Sequence, residues 1–349
     1  MPSGLYGICH SNRSEDDHWG KNCFNSSFPT ALACYMKDHD IPAVYMKLVN
    51  DNGELRVVAE TIPIKEVFNS GDRTNEQLYF SFETIYQPYQ EYALDFLDGI
   101  DLVVKDIEGH WLSPLEVKLT VLPDSTTYEK PETDWGSEIV IRSATTSYCA
   151  IGMYDGVKAN ARHVRDIFEN ACSSIQSWDN DFEMTHKIGS LIDSIGTFQR
   201  EYYTKQKPLV MQTIWKTQGK TPRLADPALD IVLWSDYAFS RLFIDDSVKQ
   251  TTKMSRPQRA TARLAKCIWE LSKSGRIRIE DIYRQMAFDN QTDKEFSKSG
   301  NIWRKYVPYG RPVTPIIPRS AISEIIEDGY IEKLSPERRF DQSLYFGAE

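Results

Sequence analysis

The stretch that most restricts the fold of this chain runs from Asp98 to Lys118. Its first arm is the apolar run Leu102-Val103-Val104, led by Asp101, and its second is Leu115-Glu116-Val117-Lys118 continuing to Leu122. Glu108-Gly109 marks the turn between them, because glycine tolerates the positive φ of a tight hairpin. In a strand, alternate side chains point to opposite faces, so Glu116 and Lys118 share one face and Val117 and Leu119 the other. A hairpin of this pattern brings a carboxylate from each arm and an ammonium together at one end of a sheet.

The chain has 349 residues, enough for a large core and for two domains. Hydrophobic residues at 41% and charged residues at 26% place it among ordinary globular proteins rather than disordered ones. No apolar run approaches the ~20 residues of a membrane span, and the first residues lack the basic and apolar segments of a signal peptide. The six cysteines show no pairing rhythm, so reduced thiols and a cytoplasmic location are expected. The net charge of −9 conceals an asymmetry: residues 1–248 carry −15 and residues 249–349 carry +6. Residues 249–311 alone hold fifteen basic and six acidic side chains. Local field rather than total charge steers a polyanion to a surface, so this basic region permits a nucleic-acid partner.

Along the chain, a helix is expected over residues 29–37 with Pro29 in its first turn. Two β-runs, 43–49 and 55–59, flank the hairpin turn Asn50-Asp51-Asn52-Gly53. Residues 76–97 are aromatic-rich and read as partly helical, interrupted at Pro88. After the Asp98–Lys118 hairpin, residues 138–142 form a short strand or the start of a helix. Residues 143–206 are mainly helical, with Val164, Ile167, Phe168, Cys172 and Ile175 at helical spacing. A strand over 208–215 and an apolar segment over 229–243 follow. Residues 259–271, 279–286 and 321–326 are short helices of a more helical, basic C-terminal region. The order suits an α/β fold, a mixed β-sheet core flanked by helices, with a core over 1–248 and a possible recognition subdomain over 249–349.

A phosphodiester resists attack because its oxygens repel the nucleophile and its leaving alkoxide is poor. A divalent cation held by carboxylates offsets that charge and lowers the pKa of a bound water. Mg²⁺ takes one or two carboxylates and leaves its other positions to water and phosphate. Asp101 and Glu116 supply such a pair, with the Val117 carbonyl as a third ligand. Lys118 on the same face would orient or help deprotonate the attacking water. An acidic-x-Lys triplet is weak by itself, and a charged edge strand explains it about as well. Yet Glu116-Val117-Lys118 is the one such triplet in the chain, and it falls inside a β-run behind an acid-led one. Asp98 competes with Asp101 for the first carboxylate; Asp101 directly abuts the Leu-Val-Val strand.

An acid, a turn and Glu-x-Lys in this order resemble the PD-(D/E)xK nuclease superfamily. The wider chain resembles the HindVP-type family of type II restriction endonucleases in the blocks Ser11-Asn12-Arg13, Trp19 to Asn22, Phe24 to Pro29, Leu115 to Asp124, Gly136 to Arg142 and Gln212 to Thr217. These blocks span roughly the first two thirds. The resemblance implies a restriction-endonuclease-like fold. It also implies Mg²⁺-dependent cleavage of double-stranded DNA at a short palindrome and a protective DNA methyltransferase as genetic partner. Two positions depart from the pattern: Ile100 stands where proline commonly precedes the first acid, and the helix-borne acid upstream has two candidates, Glu83 and Glu91. A palindromic target is met most simply by an isologous homodimer.

Glu138 and Arg142 lie in one of these blocks and suit the site or a phosphate; a structural ion pair is the bland alternative. Lys216, Arg256, Arg259, Arg263, Arg276, Arg278 and Arg284 are candidates for DNA contact, most of them backbone-positioning or simply solvated. Cys9, His10, His18 and Cys23 lack zinc-finger spacing, and Gly219-Lys220-Thr221 lacks the first glycine of a phosphate loop, so ATP binding is rejected. Two other functions fit the same residues: a structure- or damage-specific nuclease, and a non-catalytic DNA-binding protein on the same fold.

Overall fold

Turn chemistry sets the sheet. Asn52 and Gly53 take positive φ, 51° and 91°, and around them β1 (Ala43–Asp51) and β2 (Glu54–Ile62) pair antiparallel. Gly109, at φ 91°, does the same for β4 (Ile100–Asp106) and β5 (Trp111–Leu122), which meet with Leu102 opposite Leu115. This is a computed structural model, and it describes residues 21–122, 138–217, 224–249, 251–286, 296–299, 303–306, 317–318 and 320.

Helix α2 (Ile64–Val67) comes first; the aromatic run is helical only in part, as expected, being strand β3 (Leu78–Thr84) followed by one helical turn, α3 (Gln87–Gln90). The period of β3 is two: Leu78, Phe80 and Phe82 all face one core, and aromatic residues fit a pleated, half-buried surface. Pro88 sits in the first turn of α3, where its missing N–H costs nothing. β7 (Pro208–Thr217) and β8 (Leu224–Ser235) complete a seven-stranded sheet of order β2-β1-β8-β7-β5-β4-β3. The β1–β8 and β5–β7 pairs are parallel and the others antiparallel, so the sheet is mixed. Separately, β6 (Glu138–Ile141) pairs antiparallel with β9 (Phe296–Ser299).

Each face of the sheet buries its own core. One is closed by α1 (Lys21–Asp38), whose Phe28, Leu32 and Met36 pack with Phe80, Leu102, Leu115 and Val117. α1 begins earlier than expected, and Pro29 lies inside it. Burial of Phe28, Leu32 and Met36 on the sheet offsets the ~3 kcal/mol that an interior proline costs a helix. The other face carries α4 (Ser143–Asp155), α5 (Ala161–Ser173), α6 (Asp181–Tyr202), α7 (Asp236–Ser247) and α8 (Arg256–Ser274) over Val103, Val210, Val232 and Trp234. Short α9 (Ile279–Gln285) and α10 (Trp303–Tyr306) follow. α8 is bounded by local chemistry: Ser255 and Gln258 form a capping box, and Gly275 closes the helix at φ 73°. It contacts α4, α5, α6 and α7, which makes it the central helix of this layer. The helix expected over residues 321–326 lies outside the described residues. Cys34, Cys149, Cys172 and Cys267 are free and buried, and no described helix is long and apolar enough to cross a membrane.

One buried acid in this layer carries a measurable consequence. Asp236 opens α7, where its Oδ1 accepts the N–H groups of Lys207 and Tyr237 while its Oδ2 has no partner. Burial pushes its carboxyl up to about 7 despite those donors. The folded pKa is above the unfolded value of about 3.9, so the folded chain holds the proton more tightly. The stabilising effect of that proton is complete below pH 4 and lost as pH rises through 7. At about 1.4 kcal/mol per unit the loss is on the order of 4 kcal/mol. Asp236→Asn removes this titration. Denaturant unfolding should therefore show the variant gaining on wild type between pH 5 and pH 8; a parallel pH dependence would rule out the shifted acid.

Candidate active site

Three neighbouring strands deliver one acid each to the helical face of the sheet. In β5, Leu115 and Val117 face the α1 core, so alternation turns Glu116 and Lys118 to the other side. In β4, Leu102 and Val104 likewise leave Asp101 on that side. In β3, Phe82 pairs with Leu102 and Thr84 with Ile100, which sets Glu83 opposite Asp101. Lys118 Nζ lies 2.6 Å from Glu116 Oε1 and 3.6 Å from Asp101 Oδ2. The Val117 N–H donates to the same Asp101 oxygen at 2.8 Å. Glu83 is within hydrogen-bonding reach of Asp101. It holds φ 50°, a strained value for a non-glycine residue. Gly99 makes the close approach possible: a Cβ there would stand 3.0 Å from the Glu83 backbone.

The first turn of α4 covers this cluster. Thr145 donates its hydroxyl to Glu116 Oε1 at 3.2 Å, and the exposed Arg142 just before the helix is close enough to act on Glu83, Asp101, Glu116 and Lys118. Gln212 in β7 pairs in register with Lys118 and is fully buried on the same face. Burial pushes the Glu116 carboxyl up and the charge of Asp101 adds to it. Burial also raises Asp101 beyond what Lys118 and the Val117 N–H recover, and it raises Glu83, with Glu116 adding. For Lys118 burial opposes the ammonium, but Glu116 and Asp101 outweigh it and hold the lysine protonated.

The other candidates fall elsewhere. Asp98 is exposed, and it is its backbone carbonyl that is engaged, by the Tyr148 hydroxyl at 3.1 Å. Glu91 is exposed and 3.7 Å from Lys158. Glu83 is therefore the upstream acid that joins the cluster, and it stands on a strand, not a helix. The backbone of Glu138 pairs with Ser299 and that of Lys216 with Leu122; their side chains lie outside the described residues. Arg259 and Arg263 turn inward: both are buried, and Arg263 donates to Ser143 Oγ at 3.2 Å and to the Met286 carbonyl at 3.1 Å. Arg256, Arg276, Arg278 and Arg284 are exposed, and Arg278 and Arg284 both pair with Asp281. Thr145 and Gln212 were not singled out from sequence. The available signals were a polar residue in the apolar run Leu209-Val210-Met211-Gln212 and the hydroxyl-rich start of α4.

A second group of metal-ligand types, Asp106, Glu108 and His110, sits at the turn of the β4–β5 hairpin. It is five residues along β4 from Asp101, roughly 17 Å at 3.4 Å per residue. There Asp106 already accepts from Arg73, from the N–H groups of Glu108 and His110, and from the His110 ring. These bonds make it the acid that organises the turn.

The Asp101–Glu116 pair suits a hard divalent cation. Its donors are all carboxylate oxygens, and burial with mutual repulsion gives Glu116 and Asp101 a raised appetite for positive charge. The bonds to Lys118, Thr145 and the Val117 N–H engage Glu116 Oε1 and Asp101 Oδ2, so the cation would be held through the remaining oxygens.

Comparison with known proteins identifies the family. Residues 19–349 match the family described as HindVP restriction endonuclease. The type II restriction enzyme HgiDI of Herpetosiphon aurantiacus is 34% identical over 345 residues, covering 98% of this chain and 95% of its own. The probable type II restriction enzyme HindVP of Haemophilus influenzae is 34% identical over 349 residues, covering 99% and 94%. No solved structure matches. A match over nearly the whole length, with two full-length relatives, places the chain in one family: it belongs to the HindVP restriction endonucleases.

Proposed function

We propose that this protein is a type II restriction endonuclease that recognises a specific sequence in double-stranded DNA and hydrolyses a phosphodiester in each strand. The observation that carries this is the meeting of Asp101, Glu116 and Lys118 on one face of the sheet in a chain whose full-length relatives are named restriction enzymes. Asp101 and Glu116 would hold Mg²⁺, with Glu83 next to Asp101. When bound, the ion supplies Lewis acidity at the phosphate and an acidified water.

The chain's own residues do the rest. Lys118, kept protonated by its two carboxylates, points an N–H donor at the water or at a phosphoryl oxygen and offsets charge as it builds on phosphorus. In that state it orients rather than deprotonates. Arg142, exposed at the mouth of the site, meets the phosphate backbone from the other side. Arg256, Arg276, Arg278 and Arg284, exposed arginines of the basic region, supply further contacts to the phosphate backbone. A short palindromic target matched by an isologous homodimer completes the picture, with a cognate methyltransferase protecting the host's own copies of the site.

The test is digestion of an intact linear DNA of known sequence. Discrete, reproducible fragments that vanish with chelator and return with added Mg²⁺ are expected. A smear, cutting confined to nicked or branched DNA, or binding without cleavage would overturn the proposal.

A further inference from the structure

Helix α4 grips Glu116, and the grip is a hydrogen bond rather than mere packing. Thr145 has the option, common to helical threonines, of bonding the carbonyl four residues back. Its neighbour Thr146 does so, to the Arg142 carbonyl at 3.1 Å. Thr145 instead gives its hydroxyl proton to Glu116 Oε1, the oxygen that also accepts from Lys118. One turn on, the Tyr148 hydroxyl donates to the Asp98 carbonyl and accepts from the Tyr86 N–H. These two bonds bracket the connection between β3, which carries Glu83, and β4, which carries Asp101. α4 is itself fixed from behind, at Ser143 by the buried Arg263 and at Ser147 by Tyr283.

We propose that Thr145 is a positioning residue for the metal site: by saturating Glu116 Oε1 together with Lys118, it fixes the carboxylate's rotation and presents Oε2 to the divalent cation, with Tyr148 holding the neighbouring acids in register. The inference rests on the nuclease reading of the Asp101–Glu116–Lys118 site. Outer partners of metal ligands typically alter affinity by 10–100-fold when removed, and a buried hydroxyl aimed at a ligand oxygen is such a partner.

The experiment is Mn²⁺ binding to the whole protein, followed by electron paramagnetic resonance, for wild type, Thr145→Val, Thr145→Ser and Glu116→Gln. Single-turnover cleavage of a mapped site is measured alongside. Thr145→Val keeps the shape and loses the donor, so Mn²⁺ binding should weaken roughly 10-fold or more. The cleavage step should slow while the concentration of DNA needed for half-saturation stays unchanged. Thr145→Ser keeps the hydroxyl and should bind Mn²⁺ as wild type does. Tyr148→Phe should weaken Mn²⁺ binding in the same direction without touching Glu116. The inference is overturned if Thr145→Val matches wild type, or if Thr145→Ser falls as far as Thr145→Val, which would mark a packing effect. If Glu116→Gln binds Mn²⁺ as wild type does, the underlying site assignment fails, and that result is distinguishable because it does not involve Thr145.

Discussion

Lys118→Ala protein is expected to cleave DNA roughly 10³-fold more slowly than wild type, the scale of removing a fixed donor from a developing oxyanion, while still binding Mn²⁺. The reason lies in the division of labour at the site. Lys118 makes no claim on the oxygens of Asp101 and Glu116 that would face a cation; it engages Oδ2 and Oε1. Its loss therefore removes the ammonium from the reaction without removing a ligand. It also leaves buried Glu116 and part-buried Asp101 without their nearest counter-charge, so the metal-free protein should unfold at a lower denaturant concentration and recover in Mg²⁺. Lys118→Arg is not expected to rescue cleavage. A planar guanidinium cannot replace a compact ammonium in contact with two carboxylates from adjacent strands. Single-turnover rates with and without Mg²⁺ check this, and a Lys118→Ala protein within about tenfold of wild type would remove Lys118 from the chemistry.

Glu116→Gln should have the complementary signature: loss of both cleavage and Mn²⁺ binding, with the fold retained. The substitution keeps the volume and a carbonyl acceptor for Thr145 and Lys118 but removes the charge that a hard cation requires. Because Glu116 is only 5% exposed and burial raises its carboxyl, the neutral variant escapes a desolvation cost. Its melting temperature in chelator should equal or exceed that of wild type. Asp101→Asn should behave in the same way, whereas Asp98→Ala should leave cleavage intact, since the Asp98 contact to Tyr148 runs through its backbone. Retained Mn²⁺ binding by Glu116→Gln would show that the cation sits elsewhere.

Much of this site is legible from residues alone, for a physical reason. A period of two is a rigid rule in a strand, so Glu116 and Lys118 had to share a face once Leu115 and Val117 were apolar, and Gly109 had to mark the turn. The same rule explains what is harder to see. Asp98 and Asp101 differ by three positions, and only the point at which β4 begins decides which one faces Lys118. Glu83 and Glu91 stay equal candidates until Leu78, Phe80 and Phe82 are recognised as one face of a strand, which turns Glu83 to the other. Thr145 and Gln212 enter through tertiary contacts between distant segments, which no local pattern encodes. The arginines of α8 show the limit of charge counting. Arg259 and Arg263 belong to a basic run, yet they lie on the buried side of the central helix, where Arg263 ties α4 and α9 to the layer rather than meeting solvent.

The most direct measurement is to digest a genome of known sequence with the wild-type protein in Mg²⁺ and sequence every fragment end, with Glu116→Gln protein run in parallel. Ends that fall at one short sequence on both strands, and are missing from the Glu116→Gln digest, are the predicted result. Ends scattered without a common sequence, or the same ends produced by the Glu116→Gln protein, would contradict it.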